Sequence, residues 1–295
     1  MRSVFSTYHP IINFGFFCAV IGTGIFLHHP IFVGAGMLAA LIYAIMLGGK
    51  GTIKFAALFA LPMVLIFTIV NPLINPRGST VLFYTQYSQV TLEAVIYGLL
   101  SGLMLASVLL WFSCYNKVMT SDKFVYLFGR IMPAISLIFS MVMRFVPNFK
   151  MQIQKISNAQ KCIGRDVSNG TKKEKIRHGM KILSIMFTWA LENAIDSADS
   201  MRSRGYGLKD RSAFSIYRFD RRDTTALIFL LIVTGTVIAG AAAGICSIEF
   251  YPEIVMAEFS LRTIIVYIAY ILLCFFPIAV EVKEVAAWKL SQSRI

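Results

Sequence analysis

Two arginines that precede a glycine at the end of a long amphipathic segment are the residues best suited to specific binding. The segment 172–207 ends in the letters MRSRGYG, which include Arg202 and Arg204. Gly205 or Gly207 is expected to end a helix here, because glycine adopts positive φ readily. One interpretation is that the arginines stabilise the C-terminus of that helix through its dipole. The other is a docking tip, where a guanidinium on a rigid helix binds a partner's carboxylate.

The segment before this tip has the periodicity of an amphipathic α-helix. Its apolar residues recur at alternating steps of four and three, which places them on one helical face. We expect Leu183 and Phe187 to pack inward against the neighbouring helix or the membrane domain. Lys181 and Ser184 lie on the polar face and are expected to stay wetter. The apolar positions are Ile176, Met180, Leu183, Phe187, Ala190, Ala194, Ala198 and Met201, and Ile182, Met186 and Trp189 widen the face.

The composition indicates a membrane protein with a basic cytoplasmic region. The 295 residues are 57% hydrophobic, with a mean hydropathy of +0.69, yet carry a formal net charge of +13. This is more apolar than an ordinary soluble domain, and basic residues of membrane proteins concentrate on the cytoplasmic side. Pro62 is expected to kink the third of six predicted spans. The six runs lack Lys, Arg, Asp and Glu, and each approaches the length of a membrane helix: 11–27, 31–47, 55–70, 94–112, 224–244 and 263–280.

The basic residues also predict how the spans are oriented. If the N-terminus is cytoplasmic, 26 of the 28 Lys and Arg residues lie inside, and only Arg77 and Arg262 lie outside. The positive-inside rule therefore predicts a multi-pass protein of the cell membrane with both termini in the cytoplasm. In the outer loop that follows the third span, Asn-Pro steps at Asn71 and Asn75 predict tight turns. Glu93, at the start of the fourth span, is expected to be solvated at the interface.

The spans divide the chain into three predicted parts: a membrane domain, 1–112; a cytoplasmic region, 113–223; and the last two spans with a cytoplasmic tail, 224–295. The cytoplasmic region holds a second amphipathic stretch, which starts with an apolar run at 131–143 that is too short to cross a membrane. This stretch ends at the letters QKCIGRD, where Gly164 is expected to cap a helix. The sequence thus predicts an all-α polytopic membrane protein with about six transmembrane helices and a cytoplasmic module of two long amphipathic helices.

The sequence lacks the motifs of the common enzyme classes. It contains no GxxxxGK[ST] phosphate loop and no GxGxxG, HExxH or GxSxG motif. Its five cysteines have no paired spacing and its four histidines are scattered, so we expect no catalytic residues, disulfide, metal site or cofactor. No predicted span carries an ionisable residue of the kind that marks ion-coupled transporters. We therefore expect a protein that is not an enzyme and takes its energy from another subunit.

Four features together carry a resemblance to a known family. They are the start YHPIINF at 8–14, the loop at 71–78, the basic insertion between the fourth and fifth spans, and the two glycine-containing tips. With these, nearly the whole chain resembles the transmembrane T component of energy-coupling-factor (ECF) transporters, which are ABC-type importers of vitamins and metal ions. Members of that family have two long cytoplasmic coupling helices, each ending in a short motif centred on arginine. Each tip docks into a groove on one of two ATPase subunits.

The resemblance implies docking roles for residues at both tips. Arg204, between Ser203 and Gly205, matches the central arginine of the family motif. The first tip departs from the motif, because Ile163 stands where arginine is usual and Arg165 follows two places on. The ATPase-docking residues implied by the resemblance are Ser203, Arg204, Gly205, Arg202, Cys162, Ile163, Gly164 and Arg165.

The resemblance also implies partners and a mechanism. Two ABC ATPase subunits would move the coupling module, 113–223, and this movement would reach a substrate-binding S component, which selects the substrate. The alternative is a pore-forming permease subunit of a conventional ABC transporter, but such subunits usually carry one coupling loop rather than two tips. A membrane enzyme acting on lipids lacks support from any catalytic constellation. A scaffold for anionic lipid or RNA is disfavoured because acidic residues at 192, 196 and 199 interrupt the basic pattern, so we expect the lipid bilayer but no nucleic acid as a partner.

Overall fold

The computed structural model describes residues 3–75, 77–84, 89–129, 133–165, 167–168, 170–206, 217–246, 248–251, 255–256 and 260–292. The turn prediction at Pro76 and the alternative helix stop at Gly207 lie outside these residues. The chain forms two compact units, a membrane unit made of Met1–Phe124 and Tyr217–Ile295, and a second unit, Val125–Ile216. The predicted boundaries at 112/113 and 223/224 were placed at span ends and stay a prediction.

The membrane unit is built from apolar helices that coincide with the six predicted runs. Within the described residues, five helical stretches are long and apolar enough to cross a membrane, and Pro10–Phe26 is a shorter apolar helix. The predicted all-α polytopic membrane fold is therefore confirmed. The helices of this unit are α1 (Pro10–Phe26), α2 (Pro30–Gly48), α3 (Lys50–Phe55), α4 (Leu61–Ile74), α5 (Leu92–Val118), α6 (Ser121–Gly129, which crosses into the second unit), α9 (Arg221–Ala242) and α10 (Leu261–Gln292).

The first two helices begin in the same way. His9 precedes Pro10 and His29 precedes Pro30, and each proline occupies the first turn, where its missing N–H costs nothing. Each histidine Nδ1 accepts a hydrogen bond from the backbone N–H two residues later, at 3.3 Å. The His-Pro steps therefore act as N-caps that fix where α1 and α2 start.

The third predicted span is a continuous helical stretch with a local change of geometry. A π-helical segment, Ala56–Ala60, separates α3 from α4 and ends two residues before Pro62. Proline lacks an N–H donor, and its ring collides with the carbonyl four residues earlier, so it disturbs the turn that precedes it. The departure from α geometry thus lies where the sequence predicts a kink.

Two glycines allow α4 and α5 to approach closely. Gly98 and Gly102 form a G-x-x-x-G pattern on α5, which the sequence analysis did not use. A Cβ atom at Gly98 would lie 2.7 Å from the carbonyl oxygen of Phe67, and one at Gly102 would lie 2.9 Å from the Cα atom of Val64. Close backbone approach is how helices associate in lipid, where the hydrophobic effect gives no net drive.

The connection from α4 to α5 differs from its prediction in two respects. The first Asn-Pro step is not a turn, because Asn71 and Pro72 lie inside α4, which ends at Ile74. Glu93 is not solvated: it is 3% exposed and accepts hydrogen bonds from the Thr80 backbone N–H at 3.1 Å and the Thr80 hydroxyl at 2.7 Å. The hydroxyl of Ser79 also donates to it, at 3.2 Å. The carboxylate is buried because the loop folds back and supplies the donors that water would otherwise provide.

Two short antiparallel hairpins accompany the helices. Strand β1 (Val81–Tyr84) pairs with β2 (Gln89–Thr91) in the α4–α5 connection, and β3 (Ile248–Glu249) pairs with β4 (Val255–Met256) between α9 and α10. The sequence analysis predicted no strands. These hairpins are local features of the connections and leave the fold class unchanged.

The second unit consists mainly of two long helices, α7 (Pro133–Cys162, 30 residues) and α8 (Lys172–Ser203, 32 residues). At a rise of about 1.5 Å per residue they are roughly 45–48 Å long. The apolar run that starts α7 and the stretch after Pro147 form one helix. The α7–α8 contact buries Ile156, Ile182 and Met186, with Phe149 and Trp189 packed against them.

The prediction of which face of α8 packs inward is wrong. Leu183 and Phe187 are 58% and 69% exposed, whereas Ile182 and Met186 are buried. The helix carries two adjoining apolar stripes, and α7 is wide enough to cover only one of them. Periodicity identifies both stripes as apolar but does not determine which one a single neighbouring helix will cover.

Candidate functional site

The first tip ends α7 with a Schellman motif. The Gln160 carbonyl accepts a hydrogen bond from the Arg165 N–H at 2.9 Å, and the Lys161 carbonyl accepts one from the Gly164 N–H at 3.0 Å. Gly164 has φ +76°, the left-handed conformation that this motif requires. Ile163 is therefore the last residue before the glycine and projects from the end of the helix, 61% exposed.

The second tip ends α8 with the same motif. The Met201 carbonyl accepts a hydrogen bond from the Tyr206 N–H, and the Arg202 carbonyl accepts one from the Gly205 N–H, both at 3.1 Å. Gly205 also has φ +76°. Arg204 is the capping residue, with φ −85° and ψ 7°, and its side chain is exposed. Gly205 is thus the glycine that ends the helix, as one of the two predicted alternatives had it.

The two tips are equivalent in backbone geometry but differ in side-chain chemistry. Ile163 and Arg204 occupy the same position of the motif, one apolar and one cationic. Each tip brings four of the eight predicted docking residues together at a helix end, although their docking role stays a prediction. In order along each motif they are Cys162, Ile163, Gly164 and Arg165 at the first tip, and Arg202, Ser203, Arg204 and Gly205 at the second.

The charge of α8 is segregated along its length. Its first ten residues contain five Lys or Arg residues, the acidic residues Glu192, Asp196 and Asp199 follow, and the arginines Arg202 and Arg204 end it. The two terminal arginines lie where the helix dipole favours cations, so dipole and side-chain charges agree at the tip. The tip therefore presents concentrated positive charge on an ordered helix end.

The start of α8 is fixed by a capping box. The Thr171 N–H donates to Glu174 at 2.9 Å, and the Glu174 N–H donates to the Thr171 hydroxyl at 3.4 Å. The hydrogen bond from the Thr171 backbone lowers the pKa of the Glu174 carboxyl. A helix defined at both ends holds its tip at a fixed distance from its start.

An uncovered apolar stripe runs along α8 next to the face that meets α7. Its members are 58–69% exposed, so α7 does not cover them. Exposed apolar stripes of this length are typical of surfaces that bind a protein partner or lipid. The stripe comprises Ile176, Met180, Leu183, Phe187 and Ile195.

The sequence analysis missed two buried charged residues in the membrane unit. Lys123 is 6% exposed and Asp223 is 3% exposed, and both bind the segment that precedes α1. Burial lowers the pKa of Lys123 to about 8. Only their position in the sequence could have indicated a structural role, because Lys123 and Asp223 lie near the two ends of the basic insertion. In the sequence analysis they were merely two of its many charged residues.

Known proteins are similar to parts of this chain. The family model CbiQ, described as "Cobalt transport protein", matches residues 13–215, which include both tips. The protein named "Energy-coupling factor transporter transmembrane protein EcfT" from Staphylococcus aureus is 27% identical over 182 residues, covering 57% of this chain and 66% of that protein.

Two further proteins of that name align over shorter stretches. The one from Lacticaseibacillus paracasei is 33% identical over 102 residues, or 34% of this chain and 39% of the relative. The one from Exiguobacterium sibiricum is 34% identical over 111 residues, which cover 37% of this chain and 42% of the relative. The chain thus spans about two fifths of the length of these two relatives. Because the family model matches well over half of the 295 residues, the chain belongs to the CbiQ family of membrane transport proteins.

Proposed function

We propose that this protein is the transmembrane energy-coupling subunit of an ECF-type ABC importer for vitamins or metal ions. Its partners in this proposal are two ABC ATPase subunits and one substrate-binding S component in the cell membrane. ATP hydrolysis takes place in the ATPases, and substrate selection in the S component. Both termini of this chain face the cytoplasm, as the distribution of basic residues predicts.

The observation that carries the proposal is the pair of long helices with matching tips. Two Schellman motifs of equal geometry, at the ends of α7 and α8, present exposed side chains at the same motif position. Two tips in one chain suit a single copy that meets two ATPases. A permease that pairs as two copies needs only one tip in each chain.

The mechanism follows from the stiffness of these helices. ATP binding closes the ATPase dimer and moves the grooves that hold the two tips. A helix transmits such a movement along its axis because its backbone hydrogen bonds resist bending. The uncovered apolar stripe of α8 supplies a surface on which a membrane partner can rest, and we assign this surface to the S component. The movement then shifts the equilibrium between two states of the complex.

Arg204 is the residue on which the docking proposal is best tested. We expect its guanidinium to bind a carboxylate in an ATPase groove, so Arg204→Glu replaces attraction by repulsion. Loss of one partner of such a buried pair costs about 2–5 kcal/mol, which corresponds to a loss of affinity of at least about thirtyfold. Arg204→Lys should restore binding only in part, since lysine lacks the planar fork. The measurement is the amount of ATPase that co-purifies with the tagged chain, together with substrate uptake.

A matched control separates docking from helix capping. Arg177→Glu makes the same charge change on an exposed residue of α8 at the other end of the helix. If Arg204 only stabilises the helix end, its replacement by alanine costs at most about 1 kcal/mol and leaves the complex intact. Full ATPase retention and full uptake with Arg204→Glu, at normal membrane levels, would end the docking proposal for this residue.

A further inference from the structure

The segment before α1, residues 3–9, binds charged residues next to both points where the chain passes between its units. The chain leaves the membrane unit after Phe124 and re-enters it at Tyr217. Lys123 directly precedes the first crossing, and Asp223 follows the second by six residues. Both side chains are buried, and buried Lys and Asp residues require partners. We call residues 3–9 the N-terminal segment.

Lys123 is held by three oxygen atoms. Its ammonium group donates to the Ser6 carbonyl at 2.5 Å and to the Val118 carbonyl at 3.1 Å. With the Asn13 amide nitrogen facing the Phe5 carbonyl at 2.9 Å, the amide oxygen of Asn13 accepts the third hydrogen bond at 3.0 Å. An ammonium has three N–H donors, and all three are satisfied here. Lysine thus joins the C-terminal end of α5 to the N-terminal segment and to α1.

Asp223 makes a comparable connection at the other crossing. One carboxylate oxygen accepts a hydrogen bond from the His9 N–H at 3.3 Å, and the other accepts one from the Asp220 N–H at 3.2 Å. These two N–H groups belong to the residues that cap α1 and α9. A carboxylate is favoured at helix N-termini by the helix dipole. One side chain therefore ties the start of α9 to the start of α1.

Neighbouring contacts extend the attachment on both sides. Arg222 donates to the Thr7 hydroxyl at 3.1 Å, and its guanidinium lies 4.2 Å from the centre of the Tyr8 ring. Glu281 of α10 accepts hydrogen bonds from the Phe5 N–H, at 3.3 Å, and from the hydroxyl of Ser3. The N-terminal segment is therefore bound to the start of α6, the start of α9 and the middle of α10, and Lys123 links it further to the end of α5.

We propose that the N-terminal segment anchors the chain to the membrane unit beside both crossings, and that Lys123 and Asp223 are positioning residues for energy coupling. The chain passes from the second unit into the membrane unit at the two crossings, so movement of the tips is passed along the chain at these points. A crossing that is tied to α1 and α10 passes its displacement to those helices, whereas a loose one absorbs it. The coupling part of this inference rests on the proposed function, but the attachment itself does not.

The attachment is tested on the purified chain by amide hydrogen exchange. Lys123→Met keeps the length of the side chain and removes its three donors. Asp223→Asn keeps the shape but offers one oxygen, so only one of the two N–H groups retains its acceptor. We expect exchange in the peptide containing residues 3–9 to become about tenfold faster in both variants. The control is Lys117→Met at the nearby end of α5, because the described hydrogen bond of Lys117 goes to Thr52, at 2.9 Å, and not to the N-terminal segment.

The coupling role is tested in proteoliposomes that contain the complete complex. The readout is substrate taken up per ATP hydrolysed, which a general loss of protein does not change. We expect this ratio to fall about fivefold or more in Lys123→Met and Asp223→Asn, and to stay within about twofold of wild type in Lys117→Met. If Lys123→Met does not accumulate in membranes, the uptake ratio of the shape-conserving variant Asp223→Asn tests the coupling role.

The outcomes distinguish this inference from the proposed function. Unchanged exchange at residues 3–9 in both variants would overturn the attachment. Faster exchange with an unchanged uptake ratio would overturn the positioning role. A wild-type chain that binds no ATPase would refute the proposed function and with it the coupling role, while the exchange experiment would still test the attachment.

Discussion

Replacing Gly98 or Gly102 by alanine is expected to push α4 away from α5 and destabilise the membrane unit. The added methyl group at Gly98 would meet the Phe67 carbonyl oxygen at 2.7 Å, and the one at Gly102 would meet the Val64 Cα atom at 2.9 Å. Both obstacles are main-chain atoms. A flexible side chain could turn aside, but a helix backbone yields only if the whole helix moves.

The size of the effect is a balance of two terms. Alanine favours a helix over glycine by about 0.8–1 kcal/mol. Overpacking of a close contact costs about 1–3 kcal/mol. At Gly98 the Asn71 Cβ and Thr68 Cα atoms would also lie 3.1 and 3.2 Å from the added atom, so the methyl group would crowd three atoms of α4 at once. We therefore expect the steric term to win, with a net loss of about 1–2 kcal/mol for either replacement.

The measurement is unfolding of the purified chain in mixed micelles as the fraction of denaturing detergent is raised. Gly235→Ala in α9 is the matched control, because nothing lies within 4 Å of a Cβ atom there. It should be neutral or slightly stabilising. If Gly98→Ala, Gly102→Ala and Gly235→Ala all shift the midpoint equally, the close approach of α4 and α5 does not contribute as described.

Three further outcomes are expected. Ile182→Asp should unfold the α7–α8 pair because it buries an unpaired charge, whereas Leu183→Asp on the exposed stripe should be tolerated in the isolated chain. Thermal melts followed by circular dichroism that coincide for the two variants would contradict the assignment of Ile182 to the buried face of α8. Burial lowers the pKa of Lys123 to about 8, from an ordinary 10.5 in the unfolded chain, so the unfolded state binds more protons between these values. The free energy of unfolding of wild type, relative to Lys123→Met, should therefore rise from pH 8 towards pH 10.5 and stay constant below pH 7; a fall over that upper range would refute the shift. In a cysteine-free background, Ser260→Cys should react with an impermeant thiol reagent applied from outside and Lys173→Cys should not, and the reverse pattern would overturn the predicted orientation.

The membrane helices could be predicted from the sequence because lipid imposes a strong requirement on them. A spanning segment must be apolar for about twenty residues and must satisfy its own backbone, so the runs at 31–47 and 94–112 correspond closely to α2 and α5. Helix ends were predictable for a similarly local reason. Gly164 and Gly205 adopt the left-handed conformation at the two tips, where few other residues can do so at low cost.

What could not be predicted depends on contacts between distant parts of the chain. Glu93 is buried because Thr80 folds back onto it, thirteen residues earlier in the sequence. Lys123 loses its solvent because Ser6 and Asn13 replace water around it. Local periodicity and composition carry no information about such partners, so these residues looked like ordinary charges at the ends of helices.

The two tips show how a repeated backbone can support unequal chemistry. Both place one exposed side chain directly before a left-handed glycine, at the end of a helix of about 45 Å. Arg204 at this position can bind a carboxylate through two parallel hydrogen bonds. Ile163 at the same position can contribute only buried apolar area, and Arg165 of the first tip stands where the second has Tyr206. A groove that suits one tip therefore leaves the other without its main contact. In the proposed complex, the two ATPase grooves must differ, or else a pair of identical grooves must hold the second tip more tightly than the first.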